Sequence, residues 1–163
     1  MFDAPLRTAT APDIALDTIA MLRRAGVVAS LTFVKHDDDN EVSLRDLRAR
    51  AAALKIDQHV RFEASAADAQ GADALLVLHR WAGETLDAAL RAMRGGVPIV
   101  AYPQGGARRF FDEHPFAARA KSCSGRDVAA AVTALAADEL TRRRHIKGAR
   151  EYVGRQRNGH QPQ

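Results

Sequence analysis

His79-Arg80-Trp81 directly follows an apolar run over residues 72–78. If that run is a buried strand, its carboxyl end is where an open α/β sheet places ligand contacts, and an imidazole, a guanidinium and an indole there could hold an anion or a ring. The competing reading packs Trp81 on the next helix and leaves Arg80 in solvent. Asp37-Asp38-Asp39-Asn40-Glu41 gathers carboxylates as a cation site would. It lacks the central glycine and distal glutamate of a calcium-binding loop, and it reads as a solvated loop bringing negative charge to a helix N-terminus. His36, His59, His79, His114 and His145 show no metal-ligand spacing, so each is expected at the surface or in a loop. Cys123, the single cysteine, has no partner for a disulfide or a CxxC motif and is expected to be a small buried group rather than a reactive thiol. No glycine-rich dinucleotide fingerprint or phosphate loop is present, which argues against NAD and ATP chemistry. No metal and no cofactor is expected.

These residues sit in a chain of 163 residues, long enough for one domain with a real core and without metal or disulfide staples. Apolar residues make up 47% and charged residues 27%, the balance of a folded globular protein rather than a disordered one. No signal-peptide pattern opens the chain and no apolar run approaches membrane-spanning length, so a cytoplasmic protein is expected. The net charge of +4 comes mostly from an arginine-rich segment over residues 142–157. That segment reads as a solvated terminal helix, with peripheral membrane contact as a possible role and nucleic acid an improbable partner.

Apolar spacing predicts the elements that must position the chemistry. Ile14, Ile19 and Leu22 predict a helix over residues 12–24 that ends at Gly26. The nearly continuous apolar stretch over 27–34 predicts a strand covered on both faces. Ser43 with Asp46 suggests a cap, and Leu44, Leu47, Ala51 and Leu54 line one face of a second helix. A strand over 60–62, one helical turn over 66–70 and a buried strand over 72–78 follow. Leu86, Ala89, Leu90 and Met93 mark a third helix that stops at Gly95-Gly96, before a strand over 97–102. A Gly105-Gly106 turn then leads to a short helix over 108–111, a weak strand over 118–123, a helix over 127–137 and a charged helix over 139–155. Strands alternating with helices imply right-handed crossovers and a doubly wound parallel sheet of Rossmann-like α/β class. Residues 1–157 are expected to form one domain and 158–163 a disordered tail.

The order of these elements, with Ala92-Met93-Arg94-Gly95-Gly96-Val97-Pro98-Ile99-Val100-Ala101-Tyr102 followed by Gly105-Gly106, resembles the C-terminal, nucleotide-sugar-binding domain of the retaining GT-B glycosyltransferases, glycosyl transferases group 1. Pro12-Asp13, Val60-Arg61-Phe62 and residues 72–78 fall into step, so the resemblance runs from about Ala11 to Val153. It implies a hexosyltransferase ancestry: a UDP- or GDP-hexose as donor substrate, transfer with retention to a saccharide or lipid acceptor, and no metal. It also implies that a separate acceptor-binding domain or chain supplies the other half of the cleft, since the segment before the first helix, residues 2–6, is at most a remnant of a strand.

Within that resemblance two glutamates eight residues apart serve the donor, one facing the transferred sugar and one gripping the ribose. Here Arg91 stands at the second position and Gly83 at the first, with Glu84 one residue away. A guanidinium cannot accept ribose hydroxyls. Ile14 replaces a lysine that would face the diphosphate, and Arg7 could replace the family arginine only from a displaced position. The expected donor contacts are therefore Glu84 as catalytic group, with Gly83, Thr85 and Leu86 at a helix N-terminus, Arg80 and Arg91 on the diphosphate, and Gly105 and Gly106 permitting close approach. The alternative is a non-catalytic, degenerate module that binds a partner.

Overall fold

A computed structural model describes residues 1–37, 39, 41–65, 71–80 and 86–158. Helix α1 (Pro12–Arg24) has proline at its first turn, a position that needs no N–H, and buries Ala15, Leu16, Ile19, Ala20 and Leu22. After it come β1 (Leu31–Val34), α2 (Glu41–Ala53), β2 (Val60–Glu63) and β3 (Leu75–Leu78). The second half contains α3 (Asp87–Gly95), β4 (Ile99–Tyr102), α4 (Gly105–Glu113), β5 (Ala117–Arg119), α5 (Gly125–Ala137) and α6 (Glu139–Asn158).

All strand pairings among the described residues are parallel: β1 with β2, β3 with β4, and β4 with β5. Phe2 joins the two ladders, bridging Phe33 on one side and Leu76 on the other, also in parallel. Its N–H donates to the Thr32 carbonyl at 2.8 Å and its carbonyl accepts from Val34 at 2.9 Å. Across the sheet the order is β2-β1-Phe2-β3-β4-β5. The chain thus starts in the middle, builds one half outward, and returns to build the other, which is doubly wound Rossmann-type order.

Side-chain alternation along the strands feeds two cores. Phe2, Leu31, Phe33, Leu76, Leu78 and Val100 face α1, α2 and α5 on one side. Leu75, Val77, Ile99 and Ala101 meet Met93 of α3, Phe111 of α4 and Ala149 of α6 on the other. Helices on both faces explain why β3 is buried at every position.

Several boundaries differ from the sequence expectation. Only Leu31–Val34 of the apolar stretch 27–34 is strand: Val28 is 96% exposed in the link from α1, where it has no neighbouring strand to pair with. The strands expected at 72–78, 97–102 and 118–123 shorten to Leu75–Leu78, Ile99–Tyr102 and Ala117–Arg119. Helix α2 starts two residues before Ser43, so Ser43 lies inside its first turn rather than at its cap. Gly105 and Gly106 form the first turn of α4 itself, with Gly105 at φ 55°, instead of a turn preceding it. Asn158 belongs to α6, while the rest of the expected tail and the turn at 66–70 lie outside the described residues.

Candidate functional site

In a doubly wound sheet a crevice opens at the carboxyl ends of the strands where the winding reverses, here between the Phe2 position and β3. A cavity of about 210 Å³ lies there. Asp3, Ala4 and Pro5, which follow Phe2, form one wall with His36, which follows β1. Leu76 to His79 of β3 and its exit form another, and Asp87, Ala88, Ala89 and Arg91 of α3 complete it.

Asp3 is the dominant group. Its side chain is 2% exposed, and a buried carboxylate is costly unless it is paired and hydrogen-bonded. Asp3 is both. Arg91 donates to Oδ2 from Nη2 at 2.8 Å and from Nε at 3.3 Å, while His36 Nε2 stands 3.1 Å from Oδ1. Asp39 ties the wall together: its Oδ1 accepts from the Leu6 N–H at 2.6 Å and its Oδ2 from the His36 N–H at 2.8 Å. One acid of the run expected to be a solvated loop therefore fastens the two loops beside the cavity. Among the described residues no group of three or more His, Cys, Asp or Glu side chains is gathered as a metal site would require.

Arg80 has a different setting. Its backbone N–H donates to the Ala9 carbonyl at 2.8 Å, and its guanidinium donates to the Thr8 carbonyl at 3.1 Å and to Asp13 Oδ2 at 2.6 Å. The hydrogen bond to Asp13 raises the guanidinium's pKa above its ordinary value, so Arg80 holds its charge while spending it on the first turn of α1. Cys123 lies near this pair, and burial pushes its thiol up, away from the thiolate a nucleophile needs.

The site expected from sequence is thus brought together only in part. Gly83, Glu84 and Thr85, with Trp81, lie outside the described residues. Of the others, Arg91 lines the cavity, while Leu86 packs into the core beneath α3 and Arg80 is bound to Asp13. Gly105 and Gly106 open α4, the helix after β4; its first turn carries no acid, and a Cβ added at Gly106 would meet nothing within 4 Å. Sequence reasoning missed Asp3, His36 and Asp39. The available signal was faint: an acid immediately after an apolar residue in a possible first strand, at the same rim as His79-Arg80.

No family model matches the chain, and no curated protein matches it. Solved structures do. WaaG, a glycosyltransferase involved in lipopolysaccharide biosynthesis, superposes with TM-score 0.72 and 16% identity over 94% of this chain and 42% of its own. Anabaena Alr3699/HepE, crystallised in complex with UDP and glucose, gives 0.79 and 14% identity over 94% of this chain and 43% of its own. The C-terminal domain of a group 1 glycosyltransferase, LpcC from Francisella tularensis, gives 0.69 and 15% identity over 94% of this chain and 82% of that one.

The fold is that of a GT-B glycosyltransferase C-terminal domain. This GT-B-type domain spans less than half the length of WaaG and HepE. No helix among its described residues is long and apolar enough to cross a membrane.

Proposed function

We propose that this GT-B-type domain binds a nucleotide-diphosphate sugar, a UDP- or GDP-hexose, along the carboxyl rim of its sheet, as the donor half of a retaining hexosyltransferase. The observation that carries the reading is the cavity at the point where the winding reverses, where Asp3, His36, His79, Asp87 and Arg91 stand among apolar residues of β3 and α3. The fold's neighbour crystallised with UDP and glucose supports it. Among the described helices at the rim, α4 is the best seat for the diphosphate. Asp13, Asp87 and Asp127 occupy the first turns of α1, α3 and α5, whereas α4 begins with two glycines and no acid. Unpaired N–H groups and the positive end of the helix dipole favour an anion there. Glu84 keeps the catalytic role suggested by the family resemblance, with Gly83 and Thr85 beside it. Transfer to a saccharide or lipid acceptor then needs a second, acceptor-binding unit, on a separate domain or chain.

Calorimetric titration of the purified chain with UDP, GDP, UDP-glucose and GDP-mannose tests the reading. Saturable binding of at least one is expected, and silence at millimolar ligand overturns it. The engagement of both candidate arginines by Asp13 and Asp3 favours one alternative, a degenerate module that binds a partner protein and no donor. That alternative predicts the silent titration.

A further inference from the structure

We infer that Asp3 is the hydroxyl-accepting group of the cavity, and that Arg91 serves as its positioning residue rather than as a contact to phosphate. The inference rests on the donor-binding reading above and assigns one part of the donor to one part of the rim.

Asp3 lines the cavity with its side chain almost wholly buried, so its negative charge acts on an occupant through little intervening water. A carboxylate repels phosphate oxygens and accepts hydrogen bonds from hydroxyl groups. Arg91 and His36 each take one of its oxygens. An ionised carboxylate has about four lone-pair sites, so it has capacity for hydroxyl donors beyond these two residues. Both donating nitrogens of Arg91 are directed at the single atom Oδ2, which uses one edge of the guanidinium and holds the carboxylate in place. That edge of the guanidinium is committed to Asp3, and the carboxylate offsets its charge, which weakens Arg91 as an anchor for a diphosphate.

Size agrees with chemistry. The 210 Å³ cavity is smaller than the pockets of about 300–1,000 Å³ that enclose drug-sized ligands, so it suits one sugar ring and not a whole nucleotide sugar. The ligand chemistry is therefore a ring bearing adjacent hydroxyls, supplied by either the ribose or the transferred hexose.

The test compares wild type with Asp3→Asn, which keeps the shape and removes the charge, using UDP, 2′,3′-dideoxyuridine 5′-diphosphate, UDP-glucose and glucose 1-phosphate. A loss of about tenfold or more in UDP affinity in Asp3→Asn, with the dideoxy analogue bound equally by both proteins, assigns the ribose to Asp3. An equal UDP affinity with a similar loss for UDP-glucose and glucose 1-phosphate assigns the hexose. Should Asp3→Asn melt early, the side-chain carboxyl carbon shift of Asp3 in wild type replaces it, expected to move with UDP or glucose 1-phosphate and to stay put with the dideoxy analogue. Unchanged or tighter binding of every hydroxylated ligand by Asp3→Asn, or an unmoved carboxyl shift, overturns the inference and leaves donor binding intact. A wild type that binds none of the four, nor GDP or GDP-mannose, overturns both, and one that binds only the guanine ligands is put through the same comparison with GDP, its 2′,3′-dideoxy analogue and GDP-mannose.

Discussion

Arg91 illustrates how one side chain changes meaning once its partner is known. As a cation at a position where the family resemblance calls for an acid, it invites the repair Arg91→Glu. With Asp3 buried 2.8 Å away, that substitution would leave the buried carboxylate without its cation and place a second carboxylate, half exposed, beside it. It is expected to destabilise the fold by roughly 2–4 kcal/mol at neutral pH, since removing the partner of a buried charge is costly and a like charge adds to the cost. One of the two carboxyls would then titrate above its ordinary range, so stability should recover as pH falls through that raised value. Thermal melts of the variant between about pH 7.5 and 4.5 check this through the direction of the trend. Gly125 gives a second, purely steric case. A Cβ there would lie 2.6 Å from Asp17 Cβ and 2.9 Å from the Asp17 carbonyl carbon, where α5 starts against α1. Backbone cannot move aside as a side-chain tip can, so Gly125→Ala should lower the melting temperature, by an overpacking cost of about 1–3 kcal/mol.

Helix α6 is the element whose docking is most open to test. Asp138 accepts from the Thr141 N–H at 2.9 Å to start it, and Arg150 donates to the Gly95 carbonyl at the end of α3. Next to that carbonyl, Gly96 at φ 70° leaves room for the guanidinium that a Cβ would fill. His145, on the same helix, has Nδ1 buried without a protein partner among the described residues. Burial lowers its pKa and neighbouring Arg144 adds to the effect, while Asp138 acts the other way. The imidazole is therefore neutral in the fold and protonates more readily in the unfolded chain. Its contribution is complete above the ordinary histidine range near 6.5 and is lost as pH falls below it. A melt series should show wild type losing stability as pH falls below about 6.5, and His145→Leu showing a flatter profile. The start of α5 offers a simpler check: Ser124 Oγ accepts from the Asp127 N–H, and Ser124→Ala should cost about 1 kcal/mol. Helices were the legible elements. The apolar spacing of Ile19 and Leu22, and of Leu44, Leu47 and Ala51, fits burial on one face. Strand ends were less so, because Val27 and Val28 have strand-forming side chains but no strand beside them, and pairing is decided by neighbours distant in sequence.

At the scale of the molecule, alternating strands and helices pointed to the doubly wound class, and the crevice follows from the order in which those strands are laid down. The groups that furnish the crevice could not be read the same way. Asp3 and Arg91 meet across 88 residues, and Asp39 reaches Leu6 across 33, so no local spacing marks either contact. What places Asp3 there is Phe2, fully buried and hydrogen-bonded at the middle of the sheet. Leu31 pairs with Val60 across 29 residues and Phe2 bridges Phe33 across a similar 31, whereas the bridge from Phe2 to Leu76, which joins the two ladders, spans 74. Loop closure of that kind is entropically costly and tends to come late in folding. Phe2→Leu, losing about 1–2 kcal/mol, should accordingly quicken unfolding in stopped-flow denaturant jumps and leave the refolding limb where it was. A slowed refolding limb would instead put this residue in the folding nucleus. If Phe2 zips the halves last, the crevice is the final part of the molecule to exist.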